Sequence, residues 1–85
     1  MHVIIIEDEQ PSARRLKRML EKQQVNVGQI LASVEESIDW FQNNAHPDLI
    51  FLDIQLSDGL SFNIFDAVDV KSAIIFTTAF DEYAL

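Results

Sequence analysis

The chain has no cysteine, only two glycines and only two prolines among its 85 residues. Without cysteine there is neither a disulfide framework nor a thiolate metal site. With glycine only at positions 28 and 59, there is no G-x-G-x-x-G or other phosphate-cradling loop and no G-x-S-x-G nucleophile elbow. Bases are scarce: six Lys and Arg against 14 Asp and Glu give a formal net charge of −8. That balance lacks the basic footprint of nucleic-acid binding, so no direct binding to nucleic acid is expected. No apolar stretch approaches the roughly 18 residues that span a bilayer. The N-terminus shows no basic region leading into a long apolar run, so no signal peptide or membrane association is expected, and a cytoplasmic location is. His2 and His46 have no paired ligand spacing and are expected to be incidental.

What is present is a hydrophobic share of 48%, ordinary for a folded domain. The length allows one domain, residues 1–85. Two short apolar runs end in acid: Val3-Ile4-Ile5-Ile6 runs into Glu7-Asp8, and Leu49-Ile50-Phe51-Leu52 into Asp53. Unalternated runs of this kind suit strands buried on both faces.

The rest of the chain alternates strand-like and helix-like segments. Pro11 suits the first turn of a helix reaching about Gln23, with Ala13, Leu16, Met19 and Leu20 at helical spacing. Residues 25–32 read as a second strand, with Gly28 as a bulge or bend. Ser33 to Glu36 is a capping-box pattern opening a second helix, with Val34, Ile38 and Phe41 inward, that ends near Asn44. After the third strand, residues 55–59 form a loop whose Asp58-Gly59 supplies turn chemistry. Residues 60–68 make a short helix with Leu60 and Ile64 inward, 73–77 a fourth strand, and Phe80 begins a further helix. The pattern predicts an α/β fold with a doubly wound parallel sheet of order 2-1-3-4. Strands one and three are then neighbours at the switch point, where such sheets bind ligands.

That order brings Glu7, Asp8 and Asp53 into one small volume, where three carboxylates repel unless a cation sits among them. A hard cation such as Mg²⁺ takes oxygen ligands. Asp8 and Asp53 can supply carboxylate oxygens, Glu7 can act directly or through water, and a backbone carbonyl, Gln55, can add another. Asp53 is then placed to attack phosphorus and form an aspartyl-phosphate. Thr77 or Thr78, facing opposite ways at the end of strand four, can donate to a phosphoryl oxygen. Five of the six bases, Arg14, Arg15, Lys17, Arg18 and Lys22, fall on the first helix. They read either as a solvated face or as a docking surface for an acidic partner.

Glu7-Asp8, Asp53, Asp58-Gly59 and Thr78-Ala79 at the ends of these strands resemble the receiver domain of bacterial two-component response regulators. The stretches from Asp53 and from Phe76 resemble receivers of LytTR-type transcriptional regulators in particular. The resemblance implies a flavodoxin-like fold, Asp53 as phosphoacceptor, and Mg²⁺ held by Glu7, Asp8, Asp53 and the Gln55 carbonyl. It selects Thr78 over Thr77 as the functional hydroxyl. It also implies a sensor histidine kinase docking near Arg14, Arg15 and Arg18. Receivers are not enzymes in the ordinary sense, though they assist their own phosphorylation and dephosphorylation. By the same resemblance the chain is a C-terminally incomplete receiver. The fifth strand, the lysine that follows it and the DNA-binding output domain all lie outside the sequence. Lys71 precedes strand four and cannot stand in for that lysine by position. Strand four then becomes an apolar edge, which suggests a homodimer or a swapped oligomer.

Two other readings compete. Dehalogenase-like phosphatases also form an aspartyl-phosphate but carry Asp-x-Asp, and this chain has Gln55 at the second position. A non-phosphorylated pseudo-receiver would act purely as an interaction or dimerisation module.

Overall fold

The computed structural model describes residues 1–77. Its elements are β1 (Val3–Ile6), α1 (Gln10–Lys22), β2 (Val27–Leu31), α2 (Val34–Asn43), β3 (Leu49–Asp53), β4 (Gln55–Leu56), β5 (Gly59–Leu60), α3 (Phe62–Ala67) and β6 (Ala73–Thr77). Four strands form a sheet of order β2-β1-β3-β6, with every pairing parallel. This is the doubly wound order expected, β6 being the fourth strand of the sequence reading.

The central position of β1 follows from its composition. Val3, Ile4, Ile5 and Ile6 are all essentially without solvent exposure, as a strand covered on both faces must be. Ile4 and Ile6 join Leu31, Val34, Phe41, Ile50, Leu52, Leu56 and Ile64 in one apolar cluster beneath α2 and α3. Val3 and Ile5 alternate to the opposite face, where α1 packs against β1 and β2 and Ala13 is buried. Burying a side chain of this size contributes about 1.5–3 kcal/mol, so β1 is the sheet's strongest apolar anchor. Val27 pairs with Val3 and Gln29 with Ile4, so Gly28 is skipped and forms the expected bulge. A Cβ there would come within 2.9 Å of the His2 ring.

Helix α2 is capped as its sequence specifies: the Ser33 Oγ accepts the Glu36 N–H at 3.0 Å. Its far end is tied down by His46. The Lys71 N–H donates to His46 Nδ1 at 3.2 Å, which leaves the proton on Nε2 to donate to the Phe41 carbonyl at 3.1 Å. His46 therefore links α2 to the approach of β6.

Three expectations need correction. Residues 55–60 form a small antiparallel hairpin, not an open loop, pairing Gln55 with Leu60 and Leu56 with Gly59. Leu60 is not inward: it is 40% exposed, and Leu56 is the buried leucine. Cross-strand partners share a face, so Leu60 turns outward with Gln55 while Leu56 enters the core opposite a residue with no side chain. Gly59 has φ +144°, which disfavours any L side chain. Met19 is likewise 54% exposed, because it lies at the flank of the α1 stripe.

Candidate functional site

The site forms where β1 and β3 end side by side, Ile6 level with Leu52. The chain leaves β1 directly into Glu7 and Asp8, and Asp53 is the last residue of β3. One carboxylate oxygen from each of Glu7, Asp8 and Asp53 lies within 4.8 Å of the others. All three residues are half-buried. The Glu7 N–H donates to the Leu31 carbonyl at 2.9 Å, fixing the acidic turn to the end of β2. The Asp8 N–H donates to Glu7 Oε2 at 3.1 Å.

Crowding is visible in the protonation of Glu7. Burial, then a hydrogen bond to Asp53 and the negative charges of Asp53 and Asp8, push its pKa up to about 8. The crowded cluster therefore holds a proton on Glu7 to higher pH than an isolated glutamate would. Among the described residues, the one ion pair joins Lys71 to Asp69, both well exposed. An oxygen-only donor set of three close carboxylates fits a hard divalent cation such as Mg²⁺.

Other residues singled out in the sequence fall as follows. Gln55 opens β4, two residues after Asp53. Thr77 ends β6 in register with Asp53, and Thr78 lies outside the described residues, as does the helix expected from Phe80. Arg14, Arg15 and Arg18 are exposed on α1, the helix that begins just after the acidic turn.

Asp58 has a role the sequence reading missed. Beyond its place in the hairpin turn, its carboxylate accepts the Val34 N–H at 2.8 Å and the Glu35 N–H at 3.0 Å. Those two N–H groups at the start of α2 hold its carboxyl below the usual carboxylate range. Nothing in the local pattern signals a cap supplied from 24 residues away.

Comparison with known proteins gives one consistent result. The family described as response regulator receiver domain matches residues 3–85. A "Sensory transduction protein LytT" from Bacillus anthracis is 37% identical over the whole chain, and one from Enterococcus faecalis is 38% identical. The chain spans 36% of the length of each of these curated relatives. Among solved structures, the N-terminal domain of a response regulator/sensory box/GGDEF 3-domain protein from Carboxydothermus hydrogenoformans superposes with a TM-score of 0.86. It is 26% identical, with 100% of this chain and 70% of that one covered. The anti-anti-sigma factor PhyR from Bartonella quintana gives a TM-score of 0.79 at 32% identity, covering 95% of this chain and 34% of that one.

Proposed function

The chain belongs to the response regulator receiver domain family, and from that premise we propose that residues 1–85 act as the phosphoacceptor unit of a longer two-component regulator. A sensor histidine kinase supplies the phosphoryl group and Asp53 receives it. An ionised Asp53 oxygen attacks phosphorus, the bond from phosphorus to the donor breaks, and its electron pair leaves with the donor. Glu7, Asp8, Asp53 and the Gln55 carbonyl would hold Mg²⁺, which would offset the repulsion between the carboxylate and the phosphoryl oxygens. The Thr78 hydroxyl donates to a phosphoryl oxygen. The observation that carries this reading is the meeting of three carboxylates at the β1/β3 switch point.

Arg14, Arg15 and Arg18 form the docking face for the kinase, supported by their exposure on a helix that starts at the acidic turn. The full-length protein passes the signal to a DNA-binding output domain, in line with the LytTR-type resemblance, and works in the cytoplasm. Among the described residues no helix is long and apolar enough to cross a membrane. On β6, Ile75 and Phe76 are each 47% exposed.

The test is intact-mass measurement of the full-length protein after incubation with Mg²⁺ and a small phosphodonor. One phosphoryl group is expected, lost in Asp53→Asn. No gain would overturn phosphoacceptance and leave an interaction module. Charge reversal at Arg14, Arg15 and Arg18 is expected to slow transfer from a histidine kinase while leaving transfer from the small donor unchanged.

A further inference from the structure

Asp58 occupies the turn between β4 and β5, within the segment that follows Asp53. Its two oxygens take the first two N–H groups of α2, those of Val34 and Glu35. The Ser33 hydroxyl takes the third, that of Glu36. These contacts complete a closed ring at the carboxyl end of the sheet. The Glu7 N–H is bonded to the Leu31 carbonyl, and Leu31 leads through Ala32 and Ser33 into α2. Asp58 joins α2 to the hairpin. The Ser61 N–H, bonded to the Ile54 carbonyl at 2.9 Å, and the buried Leu56 fix the hairpin to the end of β3. Pairing of β3 with β1 returns the ring to Glu7. Its other links are backbone connections, backbone hydrogen bonds and core packing, and Asp58 is the polar side-chain link that spans between distant elements.

We infer that Asp58 is a positioning residue that clamps the 54–61 hairpin, and with it the Gln55 carbonyl, to the N-terminus of α2. Order at the acidic cluster and order at the start of α2 then rise and fall together. The consequence for cation binding rests on the proposed Mg²⁺ site; the clamp itself does not. Coupling of this kind is reciprocal. A clamped hairpin favours the cation, and a bound cation protects the α2 cap.

Amide hydrogen exchange, followed by NMR on the whole chain, tests this with Asp58→Ala and Asp58→Asn. In Asp58→Ala, exchange at Val34 and Glu35 is expected to rise about fivefold, the scale of a lost cap, and exchange at Ser61 to rise with it. The Ile5 amide in the central strand is expected to hold its protection. Asp58→Asn keeps one acceptor oxygen and is expected to restore Ser61 partway. It also carries the comparison if the alanine variant unfolds. A Mg²⁺ titration is expected to show affinity weakened about fivefold in Asp58→Ala, if the lost cap's free energy passes to the site. A rise confined to Val34 and Glu35, with Ser61 unchanged, would reduce Asp58 to a simple helix cap and overturn the clamp. Absence of Mg²⁺ binding in the wild type would remove the cation reading, and Ser61 exchange would still decide the role of Asp58.

Discussion

Glu7 shows how three acids share a small space. Its pKa is raised from an unfolded value of 4.5 to about 8, so the folded state holds a proton that the unfolded chain has released. Between these two values the folded state binds more protons, and stability falls as pH rises. Stability from this group is full below about pH 4.5 and gone above about pH 8. Without divalent cation, thermal unfolding is therefore expected to shift downward across that window. Glu7→Gln, which removes the titration, is expected to flatten the profile and stabilise the protein at pH 8.5. The same variant is expected to lose the stabilisation that Mg²⁺ gives the wild type. A wild-type profile that stays flat without cation would contradict the protonated Glu7. Asp58 has the opposite sign. Its depressed pKa stabilises the fold above the ordinary Asp range, and that contribution is lost as pH falls through the folded value. The clustering of Glu7, Asp8 and Asp53 was legible because the acids end two apolar runs. The role of Asp58 was not, because its partners are brought to it by the fold.

Among the elements, α2 divides its capping between local and distant chemistry. Ser33 was legible from the capping-box spacing, and its hydroxyl does bond the Glu36 N–H. Ser33→Ala is expected to cost about 1 kcal/mol in denaturant unfolding, the usual scale of a lost N-cap. The hairpin was not legible. Strands of two residues have no measurable periodicity, and the inward choice of Leu56 over Leu60 depends on which cross-strand pair faces the core. β1 is the opposite case, since four consecutive β-branched residues declare a strand buried on both faces. Ile4→Ala is expected to cost about 2–5 kcal/mol, the cost of a buried cavity. A value below 1 kcal/mol would mean that the central strand is not packed as described. His46 was expected to be incidental. It bridges Phe41 and Lys71 instead, a pairing that becomes visible once α2 and the approach to β6 are neighbours.

For the molecule as a whole, the topology places β1 and β3 at the centre and β6 at the margin of the sheet. Among the described residues β6 pairs with β3 alone, and Phe62 and Phe76 meet edge-on at 5.7 Å while each stays nearly half exposed. The sequence by itself determined the alternation of strand and helix, the strand order, and the three acids that converge. Hydrophobic runs, cap residues and short crossovers constrain these locally and leave few topologies. Tertiary structure decided the raised pKa of Glu7, the inward turn of Leu56, the bridge through His46 and the cap that Asp58 supplies to α2. Each of these depends on the distance between groups far apart in the chain, and that distance exists only once the sheet is assembled. The two acid-terminated runs are thus a property of the sequence, while the charge they carry together is a property of the fold.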